Sequence, residues 1–294
     1  MQDQASQLRA LIAREEKTLG GTTKGTRVIA VSSGKGGVGK TNISINLAVS
    51  LASSGSKVVV VDGDLGLANV DVMCGLMPVY NLEDVIRGNG TLTEALLDGP
   101  NGIKILPGGT GAGLVDMGAS DLENLFYSLK PLEEMADILI LDTGAGIARS
   151  VIGLLNAADE VVVVVTPEPT SITDAYSLVK TLLTTDKQRR VSLLVNRVHS
   201  KEDAENTYVR LSGVIDRFLQ YKVDYLGFIF EDPALVKAVM RQTPVTIAFP
   251  TAPASRCFAT VADKLVGTIR QVPSQSKGLR GLMEGLVAHV IRGR

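Results

Sequence analysis

A doubly wound α/β domain, with a mostly parallel sheet flanked by helices, is the fold this sequence predicts. Three observations carry the prediction. Seven runs rich in Val, Ile and Leu, at 27–32, 57–62, 103–106, 137–142, 160–165, 191–196 and 225–230, are mostly continuous rather than alternating, as in strands buried on both faces. Amphipathic stretches separate them and complete βαβ units. A glycine-rich loop follows the first run, at the strand end where open α/β sheets bind ligands.

Composition sets the limits. The chain has 294 residues, 45% hydrophobic and 21% charged, with a formal net charge of −1. That supports a buried core and gives no global field for nucleic acid. Cys74 and Cys257 are far apart and lack CxxC spacing, which argues against a disulfide framework or a zinc site and fits a reducing cytosol. No apolar run reaches the roughly 20 residues needed to span a bilayer, and the polar N-terminus lacks a signal-peptide core. The expected location is cytoplasmic.

Taken in order, residues 3–18 read as a short polar helix with Leu8, Leu11 and Ile12 on one stripe. A glycine-rich break at 20–25 reads as a linker. The α/β domain occupies about 26–270, residues 271–278 (QVPSQSKG) form a second linker, and 279–292 (LRGLMEGLVAHVIR) carry a pattern of their own.

The loop at 34–41 is GKGGVGKT, a match to G-x-x-x-x-G-K-[ST] set between a strand and a helix. Gly34, Gly36, Gly37 and Gly39, with Lys35 and Val38 between them, let backbone N–H groups turn toward phosphate. Lys40 reaches the terminal phosphates, and Thr41 offers a hydroxyl to Mg²⁺. The helix that starts here, through Asn42, presents its positive end to the same anion. Lys35 is a second lysine that an ordinary phosphate loop does not need. It points away from its own helix and is placed to reach a nucleotide across a two-fold axis.

Carboxylates follow at strand ends. Asp62 and Asp64 flank Gly63, so one can join a Mg²⁺ shell while the other orients an attacking water. Asp142 ends DILILD as a Walker B aspartate that holds the metal's water shell. Thr143 and Gly144 behind it belong to a second switch.

In the last segment, Leu279, Leu282, Met283, Leu286, Val287, Val290 and Ile291 recur at helical spacing and fill about half the circumference. Gly281 and Gly285 each cost roughly 1 kcal/mol of helix propensity. An apolar helix with Lys277 and Arg294 at its flanks, behind a linker, reads as an interfacial anchor for an anionic membrane surface. Dimerisation would pair two such anchors. A helix docked on its own domain is the alternative.

GKGGVGKT with its second lysine resembles the deviant Walker A motif of the MinD/ParA ATPases. The resemblance implies a homodimer with ATP sandwiched between copies and Lys35 crossing to the partner's nucleotide. It implies that Asp64 is the switch residue on the water, with Asp62 beside the metal. It implies that Asn196 hydrogen-bonds the adenine edge and that Glu231, Asp232 and Pro233 pack against the base. A GTPase would show Asn/Thr-Lys-x-Asp where this chain has Asn196-Arg197-Val198-His199, so ATP is favoured.

Longer strings go further. Residues 64–71 (DLGLANVD), 80–85 (YNLEDV), 102–109 (GIKILPGG) and 166–176 (TPEPTSITDAY) resemble the flagellar-number regulators of the FlhG/FleN/YlxH type. Asp3, Gln4, Ala5, Leu8 and Arg9 are similar to the D-Q-A-x-x-L-R element of that group, which implies stimulation of a signal-recognition-type flagellar GTPase. The resemblance implies a slow ATPase that cycles between a soluble monomer and a dimer on the inner face of the cell membrane. Flagellar basal-body proteins or a transcriptional activator are further partners it implies.

Three other readings share parts of this pattern. A partition-type ATPase would bind DNA as an ATP dimer, with salt-sensitive affinity. An iron–sulfur carrier would need cysteines beside the nucleotide. A non-hydrolysing scaffold would use ATP only as an assembly signal.

Overall fold

The computed structural model describes residues 25–64, 69–109, 127–271 and Gly278. The N-terminal element with Asp3 to Arg9, most of its linker, and the apolar segment from Leu279 lie outside the described residues.

Among the described residues, eight strands form one sheet: β1 Arg27–Ser33, β2 Val58–Gly63, β3 Leu97–Asp98, β4 Lys104–Leu106, β5 Ile138–Ala145, β6 Glu160–Val165, β7 Arg190–Val198 and β8 Asp224–Phe230. Their order is β3-β4-β2-β5-β1-β6-β7-β8. Every pairing is parallel except β3 with β4, where Leu97 lies opposite Ile105. All seven expected strands are present. The eighth, β3, is a two-residue edge strand, too short to show any periodicity.

Among the described residues, six helices have eight residues or more: α1 Lys40–Ser53, α2 Arg149–Ala157, α3 Pro169–Thr185, α4 Lys201–Leu219, α5 Pro233–Met240 and α6 Pro253–Gln271. Because successive side chains in a strand face opposite ways, each central strand feeds two cores. Val28, Ala30, Leu139, Leu141, Val161 and Val163 join Leu154, Leu178, Leu182 and Leu211 of α2, α3 and α4. Ile29, Val31, Ile138, Ile140, Val162 and Val164 join Ile43, Leu47, Phe258 and Leu265 of α1 and α6. Burial on both sides is why these strands read as unbroken apolar runs.

Two of the short helices between β2 and β4, Leu82–Arg87 and Leu92–Ala95, are not announced by any apolar pattern. Each starts with a reciprocal capping box, Asn81 with Asp84 and Thr91 with Glu94. The N-x-x-D and T-x-x-E spacings were their sequence signal. Among the described residues, no helix is long and apolar enough to cross a membrane.

Candidate nucleotide site

The carboxyl ends of β1, β2 and β5 converge on the glycine loop. Gly39 immediately precedes α1 with φ +92, a left-handed backbone open to glycine at no steric cost. A Cβ on Gly39 would also stand 2.7 Å from Asn196 Nδ2. Gly34 is glycine for a different reason. A Cβ there would lie 2.1 Å from the carbonyl carbon of Asp174, so the loop rests directly on the α3 backbone. No side chain caps α1 and its first turn holds no acid, which leaves its N–H groups for an anion.

Lys40 sits half-buried behind the loop. Burial pushes its ammonium pKa down, and the charges of Asp142 and Asp64 oppose that shift. Asp142 is buried and accepts hydrogen bonds from Thr41 and from Ser44 Oγ, the latter at 2.8 Å. Ser44 was not singled out in the sequence. It lies three residues beyond Thr41 on α1, and that spacing on one helix face was the available signal.

Asp62 stands directly opposite Asp142 across the β2–β5 ladder. Its Oδ1 accepts from the Asp64 N–H at 3.0 Å, and its Oδ2 from Asn69 and Val70 at 2.9 and 3.2 Å. Burial first and Asp142 second push the Asp62 carboxyl up to about 7, against those three N–H donors. Burial likewise raises Asp142, against Thr41, Ser44 and Lys40. The donor set of Thr41 hydroxyl and two facing carboxylates is all oxygen, as Mg²⁺ requires. Among the described residues no cluster of three or more His, Cys, Asp and Glu side chains could hold a metal by itself. A cation here therefore needs phosphate oxygens to complete its shell, the usual way Mg²⁺ is held beside nucleotides.

The raised pair has a pH consequence. A folded-state pKa above the ordinary 3.8 means the folded chain holds protons the unfolded chain has shed. That contribution to stability is full below 3.8 and is lost as pH rises toward about 7. A divalent cation replaces those protons. The gain in melting temperature from Mg²⁺ with ADP is therefore expected to be larger at pH 8 than at pH 5.5 in a thermal-shift assay. An equal gain at both would refute the assignment of this pair.

The segment from Thr143 to Gly146 is tied to the end of β1. Thr143 Oγ1 donates to Val31 O at 3.1 Å, and Gly146 N–H donates to Ser33 O at 2.8 Å. Gly144 leaves Asp64 close by, since a Cβ there would stand 3.6 Å from Asp64 Oδ1. Gly63 is glycine because a Cβ would meet Asp142 O at 3.1 Å and the tips of Leu141 and Leu154 at 3.2 Å.

At the carboxyl end of β7, Asn196 is buried and its Nδ2 donates to Val38 O at 2.7 Å. It braces the phosphate loop, a role the sequence did not announce. Asp232 is committed to backbone, accepting from Ala234 and Ala254 N–H at 2.8 and 3.1 Å and so fixing the starts of α5 and α6. Pro233 is the first residue of α5. Glu231 N–H donates to Val198 O at 3.0 Å. Asn42 gives its carbonyl to Asn46 Nδ2, while Asn46 Oδ1 accepts from Thr246.

Lys35 lies apart from the inward-facing Lys40. Its Nζ donates to Glu168 Oε2 at 2.8 Å and to Thr170 Oγ1 at 3.2 Å, both at the start of α3. The sequence strings included Glu168 and Thr170 but gave them no role.

Residues 29–245 match the model of the CobQ/CobB/MinD/ParA nucleotide-binding domain. The chain belongs to this family. It is an ATPase of the MinD/ParA kind, and its relatives agree. It is 42% identical over 275 residues to the antiactivator FleN of Pseudomonas aeruginosa, covering 93% of this chain and 98% of FleN. It is 36% identical to the flagellum site-determining protein YlxH of Helicobacter pylori, covering 83% of each. Among solved structures, MinD of Pyrococcus horikoshii complexed with Mg-ADP superimposes with a TM-score of 0.68 at 28% identity, covering 84% of this chain and 100% of that one. The fold is thus shared with MinD. Both cysteines of this member are free. Burial pushes the Cys74 thiol up to about 12 and raises Cys257 as well, away from the thiolate a metal cluster needs.

Proposed function

We propose that this chain is an ATP-dependent dimerisation switch that regulates flagellar number and placement. The observation that carries the reading is the division of labour between two lysines. Lys40 is half-buried among the charges of Asp142 and Asp64, while Lys35 is 40% exposed and held by an exposed carboxylate. An exposed ion pair of this kind contributes little and is readily exchanged. A triphosphate in a second copy is a stronger anion for Lys35 to meet.

In this reading the loop from Gly34 to Asn42 binds ATP through its N–H groups, with Asn196 and the Glu231–Pro233 loop flanking the base. Thr41, Asp62 and Asp142 hold Mg²⁺, which when bound neutralises charge on the phosphate oxygens. Lys40 and the partner's Lys35 stabilise charge on the transferring phosphoryl group, as an arginine finger does. Asp64 orients the water. Loss of the terminal phosphate ends the cross-dimer contact and separates the copies.

The C-terminal helix with Leu279, Leu282, Met283, Leu286, Val287, Val290 and Ile291 then provides one anchor instead of two, and the chain leaves the membrane. Asp3, Gln4, Ala5, Leu8 and Arg9 act on the flagellar signal-recognition-type GTPase. Similarity to FleN and YlxH over most of the chain supports the flagellar assignment. Domains at 1–25, 26–270 and 271–294 divide these tasks.

Asp64→Ala is the test. It is expected to keep ATP, elute as a dimer with ATP but not ADP, and sediment with anionic liposomes, while turnover falls by about 10²-fold or more. An Asp64→Ala chain that stays monomeric with ATP would overturn the reading. Salt-sensitive retention on DNA without liposome binding would favour the partition-type alternative.

A further inference from the structure

We infer that the folded domain carries a lipid-facing surface of its own, made by Val72, Met77, Val236, Lys237, Met240 and Arg241, which rests on an anionic bilayer. The inference goes beyond the C-terminal anchor and depends on neither the dimer nor the tail.

Two stretches of chain build the surface: the short helix Val70–Met73 with the loop after it, and α5. Both lie over the core of α1 and α6, in which Val70 and Ala238 are buried and against which Met73, Leu76 and Leu235 pack. Gln242 joins them. Its Nε2 donates to Val72 O at 2.9 Å, and a Cβ on Gly75 would stand 3.5 Å from its own Cβ. Around this junction apolar side chains are left in water. Val72 is 52% exposed, Val236 64%, Met240 82% and Met77 89%. Val236 and Met240 are one helical turn apart and share a face of α5, of whose residues Ala238 alone is buried. Folding gains nothing from apolar groups that stay in water, and a group of them marks a contact surface.

Charge selects the occupant. Residues 233–262 hold Lys237, Arg241 and Arg256 but no Asp or Glu, and residues 72–82 hold no charge at all. In a chain of net charge −1 that is a local positive excess. Lys237 and Arg241 are exposed beside Val236 and Met240, so cations flank the apolar face. The Arg241 guanidinium lies over the Phe249 ring, 5.2 Å from its centre. A two-fold contact with a second copy would bring these cations together. The tail is disfavoured as well, because 279–294 carries Arg280, Arg292 and Arg294 against Glu284 alone. A groove for a peptide helix shields its lining, whereas Met77 and Met240 project into water. Projecting apolar groups between cations suit a bilayer, where they enter the acyl boundary while the cations meet headgroup phosphates.

The chain contains no tryptophan, so one placed on this surface reports alone. Met240→Trp and Met77→Trp, each in the full chain, are mixed with vesicles of equal parts phosphatidylglycerol and phosphatidylcholine, and with a matching set whose acyl chains are brominated. Emission from both variants is expected to shift to the blue and to be quenched by the brominated lipid. Val209→Trp, at an exposed position of α4 on the other side of the sheet, should show neither. Lys237→Ala should weaken vesicle binding by about fivefold, the scale of one basic residue near an anionic surface. Met240→Ser should weaken it by about tenfold. Binding of Mg²⁺ with ADP, by calorimetry, should be unchanged in both.

Sedimentation with vesicles but no quenching in the Met240→Trp and Met77→Trp chains overturns the inference and leaves the tail as anchor. No sedimentation at all overturns both readings of the membrane. Equal quenching in the Val209→Trp chain, or undiminished binding by both Lys237→Ala and Met240→Ser, also overturns the inference. So does a blue shift of the Met240→Trp chain that grows with its own concentration without vesicles, which would assign the surface to a second copy. A shift with a synthetic amphipathic helix of Leu and Glu, and none with vesicles, would assign it to an acidic protein partner instead.

Discussion

Gly34→Ala is expected to weaken nucleotide binding by at least about 10²-fold while leaving the fold intact. The added methyl would lie 2.1 Å from the carbonyl carbon of Asp174, 2.2 Å from its oxygen and 2.6 Å from the N–H nitrogen of Ala175. These are backbone atoms, so no side-chain rotation relieves the clash. The helix cannot retreat either, because Ala175, Leu178, Val179 and Leu182 of α3 are fully buried against the sheet. The loop must therefore shift, and Gly36 to Lys40 shift with it. Displacing a binding constellation by about 1 Å costs about 10²-fold, and affinity for ADP should fall by at least about that factor. Calorimetry with Mg²⁺ and ADP measures this, with circular dichroism to show a native fold. An affinity within about threefold of the unaltered chain would mean that the loop yields more easily than its packing implies.

Glu160→Ala should show the opposite phenotype. Glu160 opens β6, only 2% exposed, and its carboxylate takes a salt bridge from Arg27 at the start of β1 and a hydrogen bond from Ser192 Oγ at 3.0 Å. Arg27 is itself 10% exposed. Removing the carboxylate leaves a buried guanidinium without its counter-charge, a loss of about 3–5 kcal/mol. For a chain of this size that lowers the melting temperature by roughly 10 °C. The pair lies at the amino ends of its strands, away from the phosphate loop, so ADP affinity at low temperature should be preserved. Replacing both partners, Arg27→Met with Glu160→Leu, should recover most of the stability, since a buried pair is often no better than matched apolar groups. A double variant as unstable as Glu160→Ala would show that shape, not charge, is what this site requires.

Legibility in the sequence followed physical scale. Strands were plain because burial on both faces leaves unbroken runs such as Val161–Val165, and the loop was plain because phosphate demands glycines at fixed spacing. Both are local rules. β3 escaped because two residues carry no period, and the short helix at Leu82–Arg87 escaped because its information is in Asn81 and Asp84 rather than in an apolar stripe. In the site, Lys35, Lys40, Thr41, Asp62, Asp64 and Asp142 could be named from local pattern. Asn196 had been noticed only for the base, yet its amide also holds the Val38 carbonyl from 158 positions away. Glu168 and Thr170 escaped for the same reason. Which carboxylate a lysine finds 133 residues downstream is decided by strand order, not by anything local.

Helix ends in this chain divide by position. The N-termini of α4 and α5 are closed by Ser200 and Asp232, whereas α1, α2 and α3, which follow β1, β5 and β6 around the phosphate loop, have no side-chain cap. A cap is typically worth about 1 kcal/mol, so three are forgone where they would be most easily supplied. The fold is accordingly less stable than capped helices would make it, and an anion at the phosphate loop is expected to offset part of the deficit. Nucleotide is therefore expected to act as a structural component, raising the melting temperature as it binds.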